Sequence, residues 1–336
     1  MDIEFHYYMT YIIALRAGFK ADDAYTIAYS SQYTDDNDTP YEILDDNVPY
    51  KNYISQTMDI TKPKEELLRI HPYFHFFPGS KREMVNNSYP RKDGKLHLLN
   101  TIPNNVNVRR LFTKLLKSAD LCRIGIATHT YADTFCHQNF VGFKESFNSM
   151  EGFLAKIIPS VGHADADYQP DIPGLVWFDR RHVSSHVEVR NKDRILEAAG
   201  NIFLLYCEHC TQLKNAEKKK EALKSELDEA IGETSNKDTH TRKKERKKNY
   251  ISILKSIAKD AFRDYDKGVW FDEAASYRPK GETIGTFHGD NEFFRKPEFK
   301  NSNWFKFQEA VKFNQKLAGS ILYPLISKLE LPTEIW

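Results

Sequence analysis

A chain of 336 residues with 48 Lys and Arg against 47 Asp and Glu carries a formal charge of +1, which excludes a general attraction to polyanions. Its 40% hydrophobic and 13% aromatic residues are enough for a sizeable core, which excludes disorder throughout. Histidine stands out: there are 12, several beside carboxylates within apolar or aromatic stretches.

No apolar run approaches the roughly 20 residues of a membrane span. The opening MDIEFHYYMTYIIALRAG has Asp2 and Glu4 where an export signal carries lysines, so a soluble, cytoplasmic protein is expected. Cysteines at 122, 136, 207 and 210 form no disulfide framework for a chain this long, which fits the same compartment. Phe5 to Ala17 reads as a first helix closed by Gly18, and Asp22 and Asp23 cap a second from Ala24 to about Tyr33. Further helices are predicted at Asn107 to Lys117, Ala119 to about Asn139, Lys192 to Lys214, Tyr250 to Lys267 and Asn303 to Leu329. Strand signals are confined to pieces such as His182 to Val189 and Thr283 to Phe287. Long polar loops run over Thr34 to Lys64, Phe76 to Pro103 and Val141 to Pro173, and loops of that length are usually functional.

The expected fold class is therefore mainly α, a single multi-helix domain over residues 1–213 and 249–336. Residues 214–248 change composition and read as an inserted charged helical hairpin, with Leu213, Ala216, Leu223 and Leu227 on one narrow stripe. Between Lys237 and Lys248 seven basic residues meet two acidic ones. The ordinary reading is a solvated arm; the sharper one is contact with a phosphate backbone or an anionic membrane surface.

The strongest chemical signal is ATHTYADTFCHQNF, residues 127–140. At about 100° per residue, His129, Asp133 and His137 share one helical stripe, set among Ile124, Ile126, Ala132, Phe135 and Phe140. A buried Asp between two histidines costs several kcal/mol unless something neutralises it, and imidazole with carboxylate suits zinc or a similar divalent ion. Alone, the pattern serves equally as a structural His–Asp–His network. Other groups join it: His163 and Asp167 repeat the spacing with Asp165 and Asp171 close by, His6 lies on an apolar helix, Asp35 and Asp36 end the second helix, and His71 and His75 occupy an aromatic loop. No P-loop, G-x-G-x-x-G, G-x-S-x-G or H-E-x-x-H is present.

The order His6, Asp36, His71, His129-x₃-Asp133, His137, His163-x₃-Asp167 resembles that of the zinc-dependent phospholipase C and P1-type nuclease superfamily, over residues 1 to about 170. The opening, AYSSQYTDDN and HTYADTFCHQNF are also similar to an uncharacterised bacterial family within it. The resemblance implies an all-α fold and two or three zinc ions, with Mn or Fe as alternatives. One ion would be held by Asp36, His71, His129 and Asp133, a second by His137, His163 and Asp167, and a third by His6, a bridging Asp133 and the N-terminal amine. This chain departs from the family in opening Met-Asp where secreted members expose a tryptophan, and in the short gap from Asp133 to His137. Asp35 stands as an alternative to Asp36, and His75 to His71.

The implied chemistry is hydrolysis of a phosphoester by a metal-activated water, with Asp35 or Asp165 orienting that water. Phospholipid, nucleotide and single-stranded nucleic acid are the substrate classes. Arg180, Arg181 and Arg190 read either as a phosphate clamp or as surface arginines. His182 and His186 are rival ligands, and Cys207-Glu-His-Cys210 reads as structural because it lacks a second pair. Two other functions stay open: a nucleotide phosphohydrolase using Mn or Fe in the same pocket, and a non-enzymatic helical interaction protein.

Overall fold

The computed structural model of the chain describes residues 1–45, 48–57, 59, 62, 64–150, 161–278 and 292–327. The chain is mainly α-helical. Among the described residues the helices are α1 Thr10–Ala17, α2 Ala21–Asp36, α3 Lys64–Phe74, α4 Lys81–Asn87, α5 Val106–Lys117, α6 Leu121–Cys136, α7 Asn191–His209, α8 Ala216–Ile231, α9 His240–Ala258, α10 Val269–Ala274 and α11 Asn303–Ile326. No described helix is long and apolar enough to cross a membrane.

The centre of the fold is α6. From Cys122 to Cys136 every residue except Arg123 is buried, the signature of a helix enclosed on all sides. Asp120 starts it by accepting the Arg123 N–H at 3.1 Å. Around α6 pack α2, α5, α7, α11 and α3. The α2 crossing is especially close, because Gly125 lies against the Ile27 carbonyl and the Ser30 side chain, where a Cβ would meet atoms at 2.4 and 2.5 Å.

Several boundaries differ from the periodicity. The chain enters through a π-helical turn, Glu4–Met9, before α1, a wide turn common at functional sites. The stretch from His71, read as an aromatic loop, belongs as far as Phe74 to α3, despite an internal Pro72. The helix expected over Tyr250 to Lys267 begins ten residues earlier and stops at Ala258. Beyond it, main-chain carbonyls of Ala261, Arg263, Asp266 and Lys267 accept the buried hydroxyls of Tyr11, Tyr7 and Tyr29 in place of continuing a helix.

The segment expected as an inserted hairpin does form two helices, α8 and part of α9, and it is no free arm. Leu223, Leu227, Tyr250 and Leu254 are buried in the common core, α8 against α7 and α9 against α1 and the π-turn. The strands are short: β1 Glu42–Leu44, β2 Tyr50–Lys51, β3 Val176–Phe178, β4 Glu188–Arg190, β5 Ala275–Arg278 and β6 Glu292–Arg295. One sheet has the order β2-β1-β6-β5, with β1 and β6 parallel and Ile43 opposite Phe293; β3 and β4 form an antiparallel pair. Of the predicted strand stretches, His182 to Val189 yields only a 3₁₀ turn and β4, and Thr283 to Phe287 lies outside the described residues.

Candidate metal centre

Three sets of donor atoms converge around Asp133, each set lying within 4.8 Å: His6, His129 and Asp133; Asp35, His75 and His129; His137, His163 and Asp171. They come from five segments: the π-turn, the C-terminal end of α2, the residue after α3, the last turns of α6, and a loop of 3₁₀ turns. Asp133 is at the middle. Its carboxylate lies 3.1 Å from His6 Nε2, 3.2 Å from both His75 Nδ1 and His129 Nε2, and 2.5 Å from the Met1 amine. Asp35 stands 3.6 to 3.8 Å from the same three imidazoles. Asp171 joins His137 at 3.0 Å and His163 at 3.3 Å.

The main chain decides which nitrogen of each ring points inward. His129 Nδ1 donates to the Ser31 carbonyl at 2.9 Å, His75 Nε2 to the Ser55 carbonyl at 2.9 Å, His137 Nδ1 to the His75 carbonyl at 2.8 Å and His163 Nδ1 to the Asp167 carbonyl at 2.9 Å. A carbonyl only accepts, so each of these nitrogens holds the ring proton and the other nitrogen offers a lone pair. Those lone pairs face carboxylates, and those of His129 and His75 face each other at 3.0 Å. Acceptor against acceptor is repulsive unless a proton or a cation stands between them. His6 adds to this: both its ring nitrogens are buried without a hydrogen-bond partner, although Nε2 is close to Asp133. Imidazoles pinned by the outer nitrogen and carboxylates beside the inner one fit a divalent cation.

The electrostatics run the same way for most of the set. Burial works against ionised Asp133, yet His137, the Met1 amine, His129 and His6 outweigh it and hold the carboxyl well below the usual range. Asp171 is likewise pulled down against its burial, by the amine and by His163 and His137. Burial first, then neighbouring positive charge, keeps His6 and His137 neutral below the ordinary imidazole range. His129 is the exception: Asp133 and Asp35 outweigh burial and raise it, so a proton competes with a cation there. Burial raises Asp35.

The centre opens into a cavity of about 400 Å³. Gln32, Gln56, Thr57, Phe76 and Tyr168 are on its walls, Phe76 stacking on the His137 ring at 4.6 Å between centroids. No Lys or Arg is among the described residues lining it.

His6, His129, Asp133, His137 and His163 stand together as the sequence suggests; other expected positions differ. Asp35 occupies the place expected of Asp36, whose carboxylate turns away to Tyr265 at 2.6 Å and Gln32 at 3.2 Å. As part of a donor set, Asp35 is not the free carboxylate foreseen for orienting water. His75 takes the place expected of His71, because α3 carries His75 over Asp133; His71 is buried at the cavity edge with both nitrogens unpartnered, and burial and the charge of neighbouring histidines push it down to about 3. Asp171 replaces Asp167. The loop turns at Asp167 through a positive φ of 52° and uses its carbonyl to hold His163. The Asp165 carboxylate accepts the Met150 N–H at 3.4 Å and is outside the donor sets.

The remaining candidates are elsewhere. His182 lies 3.2 Å from Asp179, which Arg181 grips at 2.6 and 2.9 Å, and His186 packs on Tyr89. None of Arg180, Arg181 and Arg190 lines the cavity. Cys207 and Cys210 join no donor set among the described residues. What sequence spacing missed altogether is the ring of main-chain carbonyls that orients the histidines, for which no side-chain motif exists.

A family model described as a family of unknown function (DUF6765) matches residues 1–321. No curated protein and no solved structure matches the chain.

Proposed function

The chain belongs to the DUF6765 family, whose function is unknown, and from the centre just described we propose that it is a metal-dependent phosphoester hydrolase, with zinc the preferred ion. One observation carries this reading: four histidines pinned to main-chain carbonyls aim their lone pairs at two buried carboxylates, Asp133 and Asp171, and the half-buried Asp35, an arrangement that calls for cations. Asp35, His75 and His129 would hold one ion, His137, His163 and Asp171 a second, and His6 a third, Asp133 serving the first and third. The resemblance in ligand order to the phospholipase C and P1 nuclease superfamily supports the same reading, with Asp35, His75 and Asp171 in the places first given to Asp36, His71 and Asp167.

Bound divalent ions supply Lewis acidity at a phosphoryl oxygen and acidify water near neutral pH. The chain's own groups do the rest. The carbonyls of Ser31, Ser55, His75 and Asp167 keep the imidazoles in one tautomer, so no proton has to leave the outer nitrogens. The uncharged amides of Gln32 and Gln56 offer hydrogen bonds at the wall, and Phe76 and Tyr168 offer apolar contact. With no Lys or Arg on the described lining, the negative charge of a phosphoester is answered at the floor of the cavity and not by its sides.

Elemental analysis of the purified protein, followed by phospholipid, nucleotide and single-stranded nucleic acid substrates on the same sample, tests the proposal. Two or three equivalents of metal are expected, with hydrolysis that chelation abolishes and Asp133→Asn removes. A well-folded protein that carries no metal and takes none up would sink it. Bound metal without hydrolysis across the panel would favour a structural metal centre instead.

A further inference from the structure

His6 reaches the centre from a six-residue π-helical turn, Glu4–Met9. That wide turn runs directly into α1, and π geometry occurs mostly as single turns inside α-helices, so its shape is held by the groups packed on it. The group that grips it comes from a distant segment, α9. Glu4, two residues before His6 and 1% exposed, receives the Arg246 guanidinium through Nε and a terminal nitrogen, both at 2.8 Å. The same guanidinium donates to Asp238 at 2.7 and 3.0 Å, so Arg246 ties the π-turn to α9 and to the loop before it. One turn earlier on α9, Lys243 meets Asp2 at 3.1 Å, and Asp2 lines the metal cavity.

Removing a carboxylate and a guanidinium from water offsets most of what their attraction contributes, so such a pair adds little to stability compared with apolar packing. What a planar, bidentate fork does supply is direction: it sets both the distance and the angle of its partner. That is what a ligand two residues away needs, because metal donors tolerate only small displacements.

We propose that the charged hairpin formed by α8 and α9 is a clamp for the N-terminal turn, with Arg246 the positioning residue that sets His6 against Asp133. This rests on the metal reading above. The segment whose composition departs most from the rest of the chain thus has a role inside the centre without contributing a ligand.

The test titrates metal by chelator competition in four proteins: wild type, Arg246→Lys, Glu4→Gln and, as a control of stability alone, Leu227→Ala in the apolar seam of the same hairpin. Arg246→Lys keeps the charge and loses the fork; Glu4→Gln keeps the shape and carries the test should Arg246→Lys fail to fold. Each is expected to weaken one ion, the one beside His6, by about ten- to a hundredfold, the range for groups that orient ligands, and to leave the others at wild-type affinity. Leu227→Ala is expected to lower Tm with every affinity unchanged. Wild-type affinity for all ions in both clamp variants overturns the proposal, as does the same selective loss in Leu227→Ala. A wild type that binds no metal defeats the functional reading, and the clamp is then judged by hydrogen exchange of amides 4–10. Faster exchange in the clamp variants than in Leu227→Ala supports it, and equal rates overturn it.

Discussion

Gly125→Ala probes whether the crossing of α2 and α6 builds the metal centre. A methyl there would lie 2.4 Å from the Ile27 carbonyl oxygen, 2.5 Å from Ser30 Cβ and 3.1 Å from the Ser31 nitrogen, where ordinary contact begins at 3.4 Å. Two of these three atoms are backbone and no change of rotamer clears them, so the helices must part by about 1 Å. Alanine gains about 1 kcal/mol over glycine in helix propensity, and overpacking costs about 1–3 kcal/mol. Stability should therefore fall by up to about 2 kcal/mol, a drop of a few degrees in Tm. The effect on metal should be larger than that suggests. The same stretch of α2 supplies the carbonyl of Ser31 to His129 and the carboxylate of Asp35, and donor distances tolerate about 0.2 Å. In a metal titration the ion of Asp35, His75 and His129 should lose at least about tenfold in affinity, near 1.4 kcal/mol. The ion of His137, His163 and Asp171, which takes nothing from α2, should be retained. Unchanged affinity for both would refute the argument that helix spacing positions the donors.

Single ligand changes separate motif spacing from geometry. His75→Ala and Asp171→Asn should each release an equivalent of metal, whereas His71→Ala and Asp167→Asn should not, because the side chains of the latter two stand in no donor set; elemental analysis showing the reverse order would restore the spacing argument. Mild acid should weaken the metal-free protein. His71 is held down to about 3, and His6 and His137 are also lowered, so below pH 6.5 the unfolded chain takes up protons that the folded chain does not. Stability then falls with pH by as much as about 1.4 kcal/mol per pH unit per group, opposed in part by Glu4, raised to about 7, and by Asp2 and Asp35, also raised, which take up protons in the folded chain first. Urea midpoints at pH 7, 6 and 5 should decline in that order, and a midpoint that rises on acidification would contradict the assignment of buried neutral imidazoles.

How far the site can be read along the chain depends on which kind of information each residue needs. His129 and Asp133 follow from helical periodicity, since a stripe on one helix is a local property. Asp35 and Asp36 differ by about 100° around α2, and only the position of α6 shows which one faces inward. His71 and His75 share one face at i, i+4, and Pro72 between them disguises the helix that brings His75 over Asp133. Asp167 keeps the motif spacing and still yields to Asp171, because the loop turns at Asp167 through a positive φ and offers its carbonyl instead of its carboxylate. The pairing of Glu4 with Arg246 spans 242 positions and leaves no trace in local composition.

The amino-acid sequence by itself determined a mainly helical chain, a core rich in aromatics, and a concentration of imidazole and carboxylate groups in its first half. Periodicity and burial preference act within a turn or two, so those features survive without knowledge of the fold. Tertiary structure alone decided which carboxylate of each candidate pair enters the centre, which nitrogen of each ring points inward, and that the charged hairpin holds the N-terminal turn. Those choices depend on atoms from distant segments meeting within a few ångströms, a condition that residue spacing along one chain does not encode.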